Sequence, residues 1–191
     1  PPVLVFVASK DRAQVLYKQL MYDGFHIDCI HSDQSQAART AAVDGFRSGR
    51  TWVLIATDLV GRGMDFIGVN TVVNFDFPNS TIDYIHRIGR TGRGGQTGTA
   101  ITFFTEDDSW QLRSIANMMR TAGCEVPEWM LTLKKTPRRQ QRALQQQRHH
   151  KQRHDTEKLR DAVLPKFERE KKNRKHAIVA ASKRKRHPEQ P

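Results

Sequence analysis

Residues 3–24 read VLVFVASKDRAQVLYKQLMYDG, and two different periodicities meet inside that stretch. The first six residues, VLVFVA, are apolar without a break. A strand with one wet face alternates polar and apolar residues, so a continuous run predicts a strand covered on both faces. Ser9 then supplies an oxygen suited to capping a helix. KDRAQVLYKQLMYDG follows with helical spacing and stops at Gly24, a residue that tolerates the left-handed conformation helix ends require.

The same alternation recurs downstream. HIDCI (26–30) predicts a second strand and QSQAARTAAVDGFRSG (34–49) a second helix stopped by Gly49. TWVLIA (51–56), TVVNFDF (71–77) and GTAITFF (98–104) predict three further strands. STIDYIHRIGR opens on a Ser/Thr cap and predicts a short helix. Thr105 caps EDDSWQLRSIANMMRTAG, whose acidic first turn suits the helix dipole. Apolar strands separated by helices or long crossovers call for an α/β fold, an open parallel sheet with helices on both faces. Such sheets bind ligands beyond the carboxyl ends of their strands, so the informative loops are those after Ala8, Ile30, Ala56 and Phe77.

The net charge is +12, but its distribution matters more than its total. Residues 1–133 carry 12 Lys+Arg against 14 Asp+Glu, whereas residues 134–191 carry 20 against 6. A near-neutral domain, 1–133, is thus followed by a basic extension, 134–191, rich in Lys, Arg and Gln. That extension has too few large apolar side chains to offset its ordering entropy, which predicts disorder or solvated helix. KRKR (183–186) reads as a nuclear import signal or as part of the charge run. His149, His150 and His154 have the spacing of a metal clip but read as solvated residues, so no metal site is expected. Cys29 and Cys124 lie in apolar contexts and are expected to be buried or half-buried reduced thiols. With no secretory signal or membrane span, the chain reads as soluble and intracellular.

Four segments fall at the expected strand ends: FVAS, HSDQSQAAR, ATDLVGRGMDF and NFDFPNSTIDYIHRIGRTGR. In this order and spacing the chain resembles the second, C-terminal RecA-like lobe of the DEAD-box ATP-dependent RNA helicases, from residue 3 to about residue 133. HRIGRTGR (86–93) carries the discrimination, because related DEAH and DNA-unwinding families usually begin this motif with Gln. ITFFTEDD, LRSIANMMRTAGCEVPEW and Ser32 further resemble a nucleolar subgroup acting on the precursor of the small ribosomal subunit.

The resemblance implies roles residue by residue. Arg90 and Arg93 match the pair that reaches the γ-phosphate of ATP, where a planar guanidinium can donate two hydrogen bonds and keep its charge. Asp65 matches the carboxylate that accepts from the ribose, with Gly63 allowing close backbone approach; an Asp closing a turn would look the same. Gln36 and Arg39 match a Q-x-x-R element that binds RNA phosphate near a helix start, and Thr57 matches a hydroxyl on a phosphate oxygen. His86 and Arg87 match positions that couple the ATP site to RNA, through contacts with the other lobe and within this one. Packing of the short helix remains an alternative for His86. Arg62 reads as an internal brace. Of two departures, Ser32 where Gly is frequent puts a backbone contact there in doubt, and Gly61 where Ala is usual loosens its loop but removes no functional group.

No G-x-x-x-x-G-K-[ST] loop and no DEAD box occur in the sequence. ATP is therefore the expected nucleotide, with Mg²⁺ held mainly by an N-terminal RecA-like lobe of the same protein, and negligible turnover is expected from this chain by itself. A start directly on a strand reads as that of an excised domain. The implied partners are RNA (pre-rRNA or snoRNA–rRNA duplexes), the N-terminal lobe and small-subunit assembly factors, in the nucleus and nucleolus, with no membrane. The alternative is a stand-alone RNA- or protein-binding module. A DNA helicase of the same superfamily is disfavoured by His86 and the Q-x-x-R element, and a nucleotide-binding oxidoreductase by the lack of a G-x-G-x-x-G turn.

Overall fold

Strand β1, Val3–Val7, is the centre of the molecule. In the computed structural model, which describes residues 2–58, 64, 66, 68–134 and 136–163, it pairs in parallel with β3 (Val53–Thr57) on one side and β4 (Thr71–Asn74) on the other. Strands β2 (Ile27–Ile30) and β5 (Thr99–Thr102) complete a five-stranded sheet of order β2-β3-β1-β4-β5. Val5 sits opposite Ile55 and Val73, and every pairing is parallel. The connection from β1 leaves toward β2 and that from β4 toward β5. The crevice between them, beyond the carboxyl ends, is where an open α/β sheet offers a ligand site.

Helix α1 (Lys10–Tyr22) covers one face, where Val5, Val7, Ala13, Cys29 and Ile55 form a cluster. Helix α2 (Gln36–Arg47) covers the other, its Ala42, Val43 and Phe46 meeting Leu4, Phe6, Ile30, Leu54 and Val72. Alternate residues of β1 thus enter opposite clusters, and the unbroken apolar run finds its reason. A third cluster joins α3 (Thr81–Ile88), α4 (Ser109–Thr121) and α5 (Glu128–Thr132) through Phe77, Tyr84, Leu112, Ile115 and Met130.

Serine caps start the helices at the strand ends. Ser9 Oγ accepts from Arg12 N at 3.3 Å, Ser35 Oγ from Ala38 N at 3.2 Å, and Ser80 Oγ from Asp83 N at 3.0 Å. Each is worth about 1 kcal/mol against alanine. Gly24 and Gly49, with φ of 79° and 76°, terminate α1 and α2 in the left-handed region.

Three expectations need correction. Strand β5 is not covered on both faces: Thr99, Ala100 and Ile101 are exposed, because it lies at an edge of the sheet where no described helix packs on it as α1 and α2 pack on β2 at the other edge. The helix expected from Glu106 begins instead as a 3₁₀ turn over Glu106–Asp108, with α4 proper from Ser109; the Thr105 amide and hydroxyl both donate to Asp108. Cys29 is buried, and burial chiefly, helped by neighbouring Asp28, pushes its thiol up to about 11; Cys124, however, is exposed at the end of a helix.

The basic extension forms helix α6, Arg138–Val163, which packs against α1. Lys151 pairs with Asp107, and Thr156 is buried. The side chains of His149 and His154, and all of KRKR (183–186), lie outside the described residues. No described helix is long and apolar enough to cross a membrane.

Candidate functional site

The carboxyl ends of the first four strands frame a groove of about 330 Å³ lined by Ala8, Ser9, Lys10, Ser32, Thr57, Asp58 and Asn79. Thr57 is the last residue of β3, so its side chain stands at the rim because the strand stops there. Ser9 and Lys10 are placed by the turn from β1 into α1, and Ser32 by the turn after β2. That second turn is braced by Gln34, whose amide accepts from His31 N at 3.0 Å and donates to Cys29 O at 2.9 Å. Lys10 Nζ reaches Asp33 at 2.7 Å, and this hydrogen bond holds the ammonium above its ordinary pKa and the carboxyl below its own. A hydroxyl-lined groove with one ammonium has the donors that a backbone phosphate accepts from.

Gln36 opens α2 and is exposed, while Arg39, in the next turn, is half-buried. Arg39 Nε has no hydrogen-bond partner. Both stand at the α2 N-terminus, one short turn from Ser32, so they flank the groove without lining it.

Arg87 lies on the inner side of α3 and is 2% exposed. Its Nε and Nη2 bind the two carboxylate oxygens of Asp58 at 2.6 and 2.7 Å, a bidentate pair. Its Nη1 donates to Asp76 O at 2.7 Å and to Asn74 Oδ1 at 3.3 Å, and its Cζ lies 5.3 Å from the centroid of the Phe6 ring. One guanidinium therefore ties α3 to the carboxyl ends of β1, β3 and β4. Asp76 is engaged separately through its side chain, which accepts from Ala8 N at 2.8 Å and Arg12 Nε at 2.7 Å. His86, the preceding residue, faces outward with Ile82 and Ile85, which are 65% and 44% exposed.

Past Gly89, whose amide closes α3 on Ile85 O at 2.9 Å, the chain enters the loop of Arg90 and Arg93. Arg90 Nη1 donates to Met64 O at 2.8 Å and Arg93 Nε to Gly89 O at 2.7 Å. Arg90 is thus anchored on the residue preceding Asp65. Asp65 itself, with Gly61, Arg62 and Gly63, lies outside the described residues. Thr91 fixes the loop further, its hydroxyl within 2.7 Å of Val69 O and 2.9 Å of Asn70 O.

Gly98 decides whether that loop can close. A β-carbon there would meet Thr91 Oγ1 at 2.3 Å and the Gly92 amide nitrogen at 2.4 Å, far inside contact distance. Gly98→Ala is expected to push the arginine loop off its carbonyl anchors. Urea unfolding should show a loss of about 1–3 kcal/mol, the usual cost of overpacking. A stability unchanged within experimental error would mean that the loop yields freely.

Sequence reasoning singled out Thr57 but not Ser9, Lys10, Asp58 or Asn79. Their signal was positional: each is among the first residues past an apolar strand. A second cavity of about 300 Å³, lined by Phe75, Phe103, Phe104 and Lys151, contains none of the expected site residues.

Comparison with known proteins adds to this geometry. Residues 1–95 match the family described as helicase conserved C-terminal domain. The chain is 53% identical over 144 residues to a probable ATP-dependent RNA helicase DDX52 of Bos taurus, covering 75% of this chain and 24% of that protein. It is 41% identical over 184 residues to the ATP-dependent RNA helicase ROK1 of Kluyveromyces lactis, covering 96% of this chain and 31% of that protein. The chain therefore spans about a quarter to a third of the length of these relatives. Among solved structures, the C-terminal domain of the DEAD-box protein Dbp5 superposes with a TM-score of 0.57 at 37% identity, over 64% of this chain and 70% of that one.

Proposed function

As a chain that belongs to the C-terminal domains of the DEAD-box helicases, this protein, we propose, supplies the arginine-bearing wall of an ATP site and half of an RNA-strand groove in an ATP-dependent RNA helicase. The observation that carries the reading is the anchoring of Arg90 on Met64 O, which fixes one cation on the residue that precedes Asp65 in the sequence. The groove of Ser9, Lys10, Ser32 and Thr57 lies along the same rim and gives RNA phosphates their place.

The residues present fit a nucleotide in part. Two guanidinium groups, Arg90 and Arg93, match the anionic oxygens of a triphosphate, and ATP supplies the phosphoryl transfer whose charge they neutralise. They do not fit as magnesium ligands. Of the carboxylates at the strand ends, Asp58 is taken by Arg87 and Asp76 by Arg12 and Ala8. The proposal accordingly leaves Mg²⁺ and most of the nucleotide to an N-terminal lobe of the same protein. Closure of the two lobes over ATP and one RNA strand would impose a geometry incompatible with a duplex. Work on pre-rRNA in small-subunit assembly in the nucleolus belongs to the same proposal; its support is the resemblance of residues 101–108 and 112–129 to that subgroup. The basic extension adds sequence-independent, salt-sensitive affinity for RNA.

One experiment tests these parts together. This chain by itself, and the same chain joined to the upstream region of its gene, are assayed for RNA-stimulated ATP hydrolysis and for RNA binding across a salt series. Turnover is expected only from the joined form, and binding should weaken steeply with salt. Clear turnover from the chain by itself, or no RNA stimulation of the joined form, overturns the reading.

A further inference from the structure

A second polar cavity adjoins the groove and lacks its chemistry. It measures about 380 Å³, near the lower end of the range for small-ligand sites, and Asn79, Ser80, Trp110, Gln111, Ser114 and Gln145 are among its lining residues. No charged side chain is among the described residues that line it. Asn79 also lines the phosphate groove, so the two spaces meet at that residue.

Three of the lining side chains carry a buried polar atom without a hydrogen-bond partner: Asn79 Oδ1, Gln111 Oε1 and Trp110 Nε1. Gln111 is only 7% exposed, and its Nε2 is committed to Asn79 O. Leaving such atoms unpaired is costly, so a ligand that satisfies them has a ready source of affinity. Two acceptors and one donor, with an indole beside them, suit a planar group bearing both donors and acceptors better than a phosphate, which has no donor to offer the two amide oxygens. That is the description of a nucleobase edge, and unpaired bases are read by such edges together with aromatic surfaces.

We propose that this amide-lined cavity receives one base of the RNA strand whose phosphates lie in the groove, and that it gives the lobe a base preference its phosphate contacts lack. The inference rests on the reading of the groove as an RNA-strand site. Asn79 is the hinge of the arrangement, since a strand held by Ser9, Lys10 and Thr57 passes its side chain and can turn one base inward there. Both amide oxygens are closed off from the surface, so receiving a base requires the Asn79 and Gln111 amides to turn toward the cavity.

The test uses the whole chain and a short unstructured oligoribonucleotide in which a single abasic residue is moved along the strand. At one register, loss of the base is expected to weaken binding about 5-fold or more, the effect of a single base contact. A 4-thiouridine at that register should crosslink to the peptide containing Trp110. Ser114→Tyr, at an exposed helix position, plugs the cavity without removing any of the three polar groups. It should abolish the abasic effect while leaving the affinity of the abasic strand unchanged. If every abasic register binds equally, or if the abasic effect survives Ser114→Tyr, the cavity holds solvent or a protein side chain and the proposal falls. The underlying groove reading fails in a different way: Thr57→Val with Arg39→Ala would then leave binding of the base-bearing and abasic strands alike undiminished.

Discussion

Replacing Arg90 by alanine in the two-lobed enzyme is expected to lower the maximal rate of RNA-stimulated ATP hydrolysis by about 10³–10⁵-fold, the contribution of an arginine finger to phosphoryl transfer. The structure explains why the effect should fall on rate more than on folding. Arg90 is half-buried, and its guanidinium is anchored on a backbone carbonyl, Met64 O, which can be solvated when the side chain is cut away. In the proposed finger role the guanidinium must reach a phosphate oxygen in place of that carbonyl. Its gain comes from the anionic charge of that oxygen and is largest as charge builds in the transition state. Arg90→Lys should rescue little, because an ammonium lacks the planar fork. The measurement is hydrolysis at saturating ATP and RNA, with urea unfolding as the control. A variant that keeps activity within about tenfold of the parent would remove Arg90 from the finger role, since even the weakest finger in that range contributes more.

Arg87→Ala should do the reverse, acting on stability first. Removing one member of a buried, hydrogen-bonded ion pair costs about 3–5 kcal/mol, because the remaining charge is left without compensation. Here the stranded group is Asp58, whose two oxygens are both held by the guanidinium. The loss also frees Asp76 O and Asn74 Oδ1, at the end of the strand that leads into α3. Unfolding in urea should show a lower midpoint, and a double-mutant cycle with Asp58→Ala should recover a coupling well above that of a surface pair, about 1 kcal/mol at most. Additive effects of the two substitutions would show that the pair is no brace. Hydrolysis by the two-lobed Arg87→Ala enzyme should fall as a consequence of the displaced arginine loop, which follows α3 directly.

These two arginines stand three residues apart in one motif, and their separation into a buried brace and a rim cation was not legible in the sequence. The spacing showed a cationic helix end; it did not show that Asp58, 29 residues upstream, closes on Arg87 from another strand. Local pattern served well where burial is decided locally. The unbroken run of β1 demanded cover on both faces, and Leu4 and Phe6 enter one cluster while Val5 and Val7 enter the other. It failed for β5, because AIT at 100–102 is as apolar as an interior strand, and only the strand order makes it an edge. The serine caps at Ser9 and Ser80 were readable because capping needs nothing beyond the next turn. The packing of α6 on α1 was not, since it depends on a groove built by residues more than a hundred positions away.

The parallel topology has an electrostatic consequence that net charge conceals. Residues 1–133 carry two more acidic than basic side chains. Yet α1, α2 and α3 all begin at the carboxyl rim of the sheet, and each helix start is equivalent to about half a positive elementary charge. Lys10, Arg90 and Arg93 belong to the same rim. Acidic groups stand there too, Asp33, Asp76 and Asp58 being paired with Lys10, Arg12 and Arg87, and Asp23 and Asp44 lie near the far ends of α1 and α2. The domain is therefore weakly anionic in sum, with the partial positive charge of three helix starts gathered along one edge. Its attraction for a polyanion has a direction, and at physiological salt that attraction extends only about 8 Å before screening. On the proposed reading, an RNA drawn in by the basic extension would be oriented by the rim only during the last few ångströms of its approach.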